Sequence, residues 1–303
     1  MIDKIILGHN QFFGVNHLMA QTGNEKHAYF NDISRIKHVI DFSYDHGATG
    51  LMMSTHERAA FIADEIAKDP KLKDDLGIYL LVPYAAKYVR QANEKGLVNI
   101  VKDSISGTTL SNKISMFWRG GFGLLSKDIK SLLIALVDFE VAQFTKLNLR
   151  SIFLHDVVTD LVLGWNVPEV FKIYSDHIEK KYNAIPAFCT KNLPRLIKAL
   201  NQVGLENPLI MASINKLGYQ VNPSLKDFED CLKENKLQLL AMSTLAAGFL
   251  KPEEAYEYLF SLPQVESVVV GVSSTKHVVE TFSEIQSQMD HNPKVVEVSE
   301  SMV

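Results

Sequence analysis

The segment from Gly271 to Lys276 has the residue types of an anion-binding turn. A run of β-branched apolar residues, VESVVV, leads into Gly-Val-Ser-Ser-Thr, and a helical pattern begins at Thr275. Glycine allows a backbone to approach a ligand closely, and the free N–H groups at a helix start attract negative charge. Ser273, Ser274 and Lys276 add two hydroxyls and an ammonium group. The turn therefore predicts a site for a phosphate or another small anion.

A histidine at the end of an apolar run is the main candidate for proton transfer. The run SIFLH ends at His155, where an imidazole can polarise a carbonyl or move a proton near neutral pH. The alternative is a core histidine that bonds to a backbone carbonyl. His56 and Tyr84 follow two other apolar runs and are the further catalytic candidates.

Polar residues after the remaining runs are candidates for substrate contacts. Lys191 is predicted either to clamp an anionic group or, if it is buried, to form a Schiff base. No His-x-His follows the first run and no HExxH occurs, so no metal site is predicted. The other candidates for substrate contacts are His9, Asn10, Trp118 and Asn215.

Short apolar runs that alternate with longer helical patterns must position these residues. The runs are almost continuously apolar, which is typical of parallel strands covered on both faces. Eight strand-helix units is the count of a TIM barrel, and no GxGxxG follows the first strand to favour a doubly wound sheet. We therefore predict an α/β fold, a single-domain (β/α)8 TIM barrel, over residues 1–290. The predicted strands span residues 4–9, 49–54, 77–83, 150–155, 183–189, 208–213, 237–243 and 266–272.

Two segments depart from this pattern. Residues 85–124 follow the third strand and are far longer than the roughly 2–6 residues of an ordinary βα loop. They contain glycines and aromatic residues, including Trp118, and are predicted to form either a lid over the active-site end of the barrel or a surface loop packed by its own side chains. Residues 291–303 are predicted to be a polar C-terminal tail.

Composition limits the classes of partner. The 303 residues are 47% hydrophobic and carry a formal charge of −4, so a large core is expected and nucleic acid is not a predicted partner. Cys189 and Cys231 lack metal-ligand spacing and fit a reducing compartment. No targeting signal and no run of about 20 apolar residues occurs, which predicts a cytoplasmic protein without a membrane partner. A small-molecule substrate is the expected partner. The helical patterns do not distinguish between a monomer and an oligomer.

The order of the motifs resembles that of the aldo-keto reductases over most of the chain. The similar segments are LGHNQFFG after residue 6, RSIFLHDV, LLAMSTLAAGFL and VVVGVSSTKHVVETF. The resemblance implies a TIM barrel that binds NADPH or NADH and reduces a carbonyl by hydride transfer. It also implies a Tyr as proton donor, a Lys and an Asp that tune it, and a His that guides the carbonyl.

The resemblance is weaker at the catalytic residues than at the phosphate-binding ones. His155 matches the His of the family, whereas the Asp position holds Met52 and the Lys position falls at Val82 or Pro83. The Tyr position falls within residues 54–56, which contain no Tyr. On the nicotinamide side the matching residues are Cys189, Thr190, Met211 and Met242. The residues that match the phosphate side in type are Ser243, Leu245, Gly248, Gly271, Ser273 and Lys276.

Three functions are compatible with these residues. The first is a divergent NAD(P)-linked oxidoreductase in which His155, with His56 or Tyr84, replaces the missing proton donor. The second is a lyase, aldolase or isomerase that acts on a phosphorylated or otherwise anionic metabolite, with His155 as acid or base. The third is a non-catalytic barrel that keeps only the anion pocket.

Overall fold

Eight short strands pair in parallel, each with its neighbour in sequence, and the eighth pairs with the first. The computed structural model describes residues 2–13, 29–56, 58–84 and 127–291. The predicted α/β fold class, a (β/α)8 TIM barrel, is confirmed. The strands are β1 (Ile5–Gly8), β2 (Gly50–Ser54), β3 (Gly77–Val82), β4 (Leu149–Leu154), β5 (Ile185–Thr190), β6 (Leu209–Ser213), β7 (Gln238–Met242) and β8 (Val265–Val270).

Helices surround the sheet, and proline and glycine residues lie at several of their ends. Pro194 and Pro252 lie in first helical turns, and Gly47 and Gly204 follow helix ends with positive φ angles of 102° and 69°. The α-helices of the described residues are α1 (Ile33–Asp45), α2 (Ala59–Lys68), α3 (Pro70–Asp75), α4 (Lys127–Val141), α5 (Asp156–Trp165), α6 (Glu169–Tyr182), α7 (Leu193–Gln202), α8 (Leu225–Glu234), α9 (Pro252–Ser261) and α10 (Thr275–His291).

Alternate residues of each strand belong to two different cores. Met52 and Phe153 pack with other side chains inside the barrel, whereas their neighbours Leu51 and Leu154 pack between the sheet and the helices. Successive side chains of a strand point to opposite faces, so this division fixes which residues at the strand ends face the barrel axis.

The amino-terminal end of the barrel is closed by a hydrogen-bonded cluster around Asp3. The Tyr79 hydroxyl donates to Asp3 Oδ2 at 2.6 Å, and the Asp3 backbone N–H donates to the Tyr79 oxygen at 2.8 Å. Thr49 Oγ1 donates to the other carboxylate oxygen at 2.7 Å. Burial raises the pKa of Tyr79, and the Asp3 carboxylate raises it further, so the phenol stays protonated.

Gly50 in β2 allows the close packing at this end, and a side chain there is expected to destabilise the fold. A Cβ atom at Gly50 would lie 2.8 Å from Ile6 Cγ1 and 2.9 Å from the Tyr79 ring. Overpacking of this kind typically costs about 1–3 kcal/mol. We therefore expect Gly50→Ala to lower the free energy of unfolding by that amount in a urea titration. Gly164→Ala on α5 is the control, because no described atom outside the backbone of its own helix lies within 4 Å of its added Cβ, and it should be as stable as the parent or more so.

Two predicted segments lie mainly or wholly outside the described residues. The predicted lid, residues 85–124, and the substrate candidate Trp118 are among the residues not described. The predicted tail begins at His291, which is instead the last residue of α10, and residues 292–303 are not described. Among the helices that the structure describes, none is long and apolar enough to cross a membrane.

Candidate active site

The carboxyl ends of the strands define the mouth of the barrel, where polar residues replace the apolar interior. Ser54, His155 and Lys191 follow Met52, Phe153 and Cys189 by two residues, and these three apolar residues belong to the interior core. Strand alternation therefore directs Ser54, His155 and Lys191 toward the barrel axis. Catalytic groups of this fold come from this end.

His155, Asp156 and Lys191 form one charged cluster at the mouth. His155 Nδ1 lies 2.6 Å from Asp156 Oδ1, and Lys191 Nζ lies 3.7 Å from Asp156 Oδ2. The His155 and Asp156 side chains are 17% and 14% exposed, so the pair is shielded but reachable. The Val157 N–H lies 3.3 Å from Nδ1 and 2.9 Å from Asp156 Oδ1. Since Nδ1 cannot donate and accept at once, we assign its proton to the shorter contact with Asp156, which leaves Nε2 as the basic nitrogen.

Two carboxyl groups on α5 have opposite electrostatic environments. Burial opposes ionisation of Asp156, but hydrogen bonding from His155 and the nearby positive charges outweigh it and lower the pKa of Asp156. Burial raises the pKa of Asp160, one turn further along, although its carboxylate accepts from Thr190 Oγ1 at 2.6 Å. Asp156 is therefore the carboxylate that orients His155, whereas Asp160 braces the end of β5.

His9 lies buried against β2 and is uncharged at neutral pH. Its pKa is lowered to about 4, mainly by burial and to a smaller extent by the nearby charges of His155 and His56. The Met52 carbonyl, 3.0 Å from His9 Nδ1, can only accept, so Nδ1 carries the proton and Nε2 is left with a lone pair. The His9 and His56 rings both contact the Phe13 ring, and the charge of His155 also acts on His9, so the three histidines lie at the same end of the barrel.

The buried His9 is expected to make folding stability depend on pH. Between about pH 6.5 and pH 4 the unfolded chain binds a proton at His9 that the folded protein does not. Stability should therefore fall as the pH decreases through this window, by up to about 3 kcal/mol. Urea titrations at several pH values measure the effect, and His9→Asn should weaken the pH dependence by almost one proton. An unchanged slope in that variant would show that His9 titrates alike in both states.

Rings from three loops stack beside this cluster. The ring centroids of Phe13 and His56 lie 4.2 Å apart, and the two planes are nearly parallel. The His56 and Tyr84 rings pack edge to face, with their centroids 5.7 Å apart. The Phe13 ring also lies 5.1 Å from that of His9. The structure thus brings the catalytic candidates His56 and Tyr84 together with His9.

A buried carboxylate that the sequence analysis did not identify supports this wall. Glu140 on α4 is 2% exposed, and its Oε2 accepts from the Thr55 hydroxyl and, at 2.9 Å, from the Tyr84 backbone N–H. Thr55 follows the inward-facing Ser54 and therefore points to the helix layer. From the helix layer, Glu140 binds the residues that follow β2 and β3, and it thereby fixes the positions of His56 and Tyr84.

The residues of the predicted anion-binding turn lie between β8 and α10, and several of them have protein contacts. The Ser274 hydroxyl accepts from the His277 N–H at 3.3 Å, at the start of α10. Lys276 is 78% exposed on its side chain and lies 3.7 Å from Glu280. A Cβ at Gly271 would meet the Gln11 side chain at 3.4 Å, so Gln11 lies where the glycine permits close approach. Ser273 is half-buried.

The loops after β6 and β7 are joined by Asn215. Its Nδ2 donates to the carbonyls of Tyr219 and Ser243, at 2.9 and 3.2 Å, and its Oδ1 accepts from the Tyr219 N–H. Ser243 has a positive φ of 57° and Leu245 is half-buried. Both polar atoms of the Asn215 amide are bonded to the protein. Its predicted contact with a substrate remains a prediction. Asn10 is exposed.

The residues at the nicotinamide-side positions do not fit a nicotinamide carboxamide. Cys189 is 2% exposed, and the Asp156 backbone N–H is directed at its thiol. The Thr190 hydroxyl is bound to Asp160, and Met211 offers only a thioether. A carboxamide needs both donors and acceptors, and these three described residues supply no available ones. Within the part of the chain that the structure describes, no group of three or more His, Cys, Asp or Glu residues could hold a metal.

Comparisons with known proteins identify the fold. No protein-family model and no curated protein sequence matches the chain. Solved structures do match, among them a Pseudomonas aeruginosa protein classed as an aldo-keto reductase, with 12% identity, a TM-score of 0.61, and coverage of 94% of this chain and 90% of that chain.

Two further matches are also aldo-keto reductases. One, from Bacillus halodurans in its holo form, is 11% identical with a TM-score of 0.55, covering 88% of each chain. The other, from a Medee basin deep-sea metagenome library, is 10% identical with a TM-score of 0.54, covering 97% of this chain and 93% of that chain. The fold is therefore an aldo-keto reductase-like TIM barrel, as the sequence motifs predict.

Proposed function

We propose that the protein is an enzyme that moves a proton on a small anionic carbonyl compound, as an isomerase or lyase does. The observation that carries this proposal is the His155–Asp156 pair, 2.6 Å apart, at the mouth of the barrel. An imidazole whose Nδ1 is held by a carboxylate presents Nε2 as a base in a fixed orientation.

The neighbouring residues suit this chemistry. His155 Nε2 takes the proton from the carbon next to the carbonyl, and the negative charge that forms on the carbonyl oxygen is stabilised by the positive charge of Lys191. The imidazolium formed on His155 is stabilised by the Asp156 carboxylate. Although Asp156 is buried, hydrogen bonding and nearby charge keep its pKa low. On an α-hydroxycarbonyl compound the imidazolium then gives the proton to the former carbonyl carbon while the hydroxyl proton passes to the former carbonyl oxygen, which completes an isomerisation. Where the next carbon carries an oxygen leaving group, the imidazolium instead protonates that group as it departs, which completes an elimination.

The replaced catalytic positions favour His155 as the proton-transferring residue. Met52, at the Asp position implied by the resemblance, lies in the apolar interior of the barrel, and Val82 packs against the helices. Neither side chain can donate or accept a proton. Lys191, half-exposed and 3.7 Å from Asp156, serves better as an anion partner than as a buried Schiff-base lysine.

A second candidate is reduction of the carbonyl with NADPH or NADH. It is favoured by the likeness of the fold to aldo-keto reductases, one of them a holo form, and by the strand-eight turn at Gly271. The residues at the nicotinamide side disfavour it. A fluorescence titration with NADPH separates the two candidates. We expect no saturable binding up to millimolar cofactor, and saturable binding would favour the reductase.

A substrate panel tests the proposed function directly. The probes are pyruvate, glyceraldehyde, dihydroxyacetone and dihydroxyacetone phosphate, which differ in charge and in the position of the carbonyl. We expect turnover of at least one anionic probe without added nicotinamide. Binding of phosphate or of a probe without turnover would instead support a non-catalytic barrel, and a borohydride-trapped adduct at Lys191 would support imine chemistry.

A further inference from the structure

Ser54 has a buried hydroxyl without a hydrogen-bond partner at the mouth of the barrel. It is the last residue of β2, is 1% exposed, and its Oγ finds no partner in the part of the chain that the structure describes. Buried polar atoms are almost always paired, so an unpaired hydroxyl in a strand requires an explanation.

Other serines in inward-facing strand positions do have partners. Ser151 donates to the Ile185 carbonyl at 2.8 Å, and Ser267 donates to the Asp3 carbonyl at 2.5 Å. Ser213 Oγ lies 3.2 Å from Ser243 Oγ. The barrel therefore pairs its inward serines with nearby carbonyls or hydroxyls, and Ser54 is the exception among these four.

Two further buried serine hydroxyls have no hydrogen-bond partner among the described residues, but their setting differs. Ser43 and Ser175 lie inside α1 and α6, where the carbonyl four residues earlier is next to the hydroxyl. They are also remote from the mouth, on the helices outside the sheet. Ser54 has no such local carbonyl, because a strand directs its carbonyls sideways into the sheet.

The surroundings of Ser54 are those of the proposed reaction. His9 bonds to the carbonyl of Met52, two residues before Ser54, and His56 follows two residues after it. Burial is the main reason that the pKa of His9 is lowered, and the charges of His155 and His56 also act on this ring. Ser54 thus points toward the barrel axis at the end of the barrel that carries His9, His56 and His155.

We propose that the Ser54 hydroxyl binds the carbonyl oxygen of the substrate by donating a hydrogen bond to it. This inference rests on the proposed function and adds a specificity contact to it. The hydrogen bond fixes the carbonyl beside His155 and strengthens as negative charge forms on that oxygen. Leaving the hydroxyl unpaired without substrate costs stability, which is a common feature of residues kept for binding.

The test compares Ser54→Ala with Ser43→Ala and Ser175→Ala in the full chain. For the panel compound that the parent enzyme turns over, Ser54→Ala should lower kcat/KM about 10- to 100-fold. Its thermal midpoint should be equal to or above that of the parent, because an unpaired buried hydroxyl is removed. Ser43→Ala and Ser175→Ala should keep the parent kcat/KM.

The outcomes separate the two proposals. Equal kcat/KM in Ser54→Ala and the parent would overturn the role of Ser54 and leave the proposed function intact. A lowered thermal midpoint in Ser54→Ala would show that the hydroxyl has a structural partner and would also overturn that role. A parent enzyme that turns over no panel compound would overturn the proposed function and the role of Ser54 with it.

Discussion

Replacing His155 by glutamine is expected to lower kcat for a carbonyl substrate by about 10²- to 10⁴-fold, the usual contribution of a general acid or base. Glutamine keeps hydrogen-bonding capacity and approximate size but cannot carry a proton between substrate atoms. The fold should survive, because His155 lies at the mouth and its side chain is 17% exposed. Steady-state kinetics on the panel compound, together with a thermal melt, measures both effects.

Two further variants make the His155 result specific. Asp156→Asn removes the charge that stabilises the imidazolium, so it should lower kcat. His38→Gln, an exposed histidine on α1, is the control and should behave as the parent. If His155→Gln retained most of the parent kcat, the proton would have to move through another residue, and His56 and Tyr84 are the alternative candidates.

Replacing Glu140 by alanine should produce the largest loss of stability among the site residues. The carboxylate is 2% exposed and accepts hydrogen bonds from Thr55 and Tyr84. Hydrogen bonds to a charged group contribute about 1.5–3 kcal/mol each, so the variant should lose on the order of 3 kcal/mol of unfolding free energy. It should also raise KM, because the ends of β2 and β3 position His56 and Tyr84.

Matched variants separate loss of charge from loss of packing at Glu140. Glu140→Gln keeps the shape and one acceptor oxygen, so it should lose less stability than Glu140→Ala. Glu206→Gln, at an exposed position, should leave the unfolding free energy within about 0.5 kcal/mol of the parent. A Glu140→Ala protein as stable as Glu206→Gln would mean that water replaces the carboxylate without cost.

The barrel could be predicted from sequence because its strands have one physical signature. Strands such as β6 and β8 are buried on both faces and are nearly continuous runs of apolar residues, so each could be located within two residues of its ends. The prolines in first helical turns and the glycines after helix ends, such as Pro194 and Gly47, have equally local causes. Closure of the sheet followed from the number of units rather than from any single residue.

The candidate site was only partly predictable, because its contacts depend on the register of distant strands. His155 could be identified from its place after an apolar run, and its partner Asp156 is adjacent in sequence. Glu140 could not, since a single carboxylate in an apolar helix pattern does not reveal that two loops donate to it. Its burial amid Leu136, Val137 and Val141 is the signal that could have indicated it.

The strand-eight turn shows the opposite limit. Its glycine, hydroxyls and lysine were evident in the sequence, but Lys276 pairs with Glu280 and the Gln11 side chain lies against Gly271. The residue types of a turn indicate which ligands it can bind. The side chains packed against the turn determine whether a ligand can reach it. Anion binding by this turn therefore remains a prediction, and Lys191 is the cation that lies beside the proposed catalytic pair.

Deuterium exchange tests the central claim most directly. Each panel compound is incubated with the enzyme in D2O, and NMR follows the loss of the proton on the carbon next to the carbonyl. Transfer through His155 predicts enzyme-dependent exchange for at least one anionic compound, lost in His155→Gln and retained in His38→Gln. Exchange at the same rate in His155→Gln, or none with the parent enzyme, would contradict it.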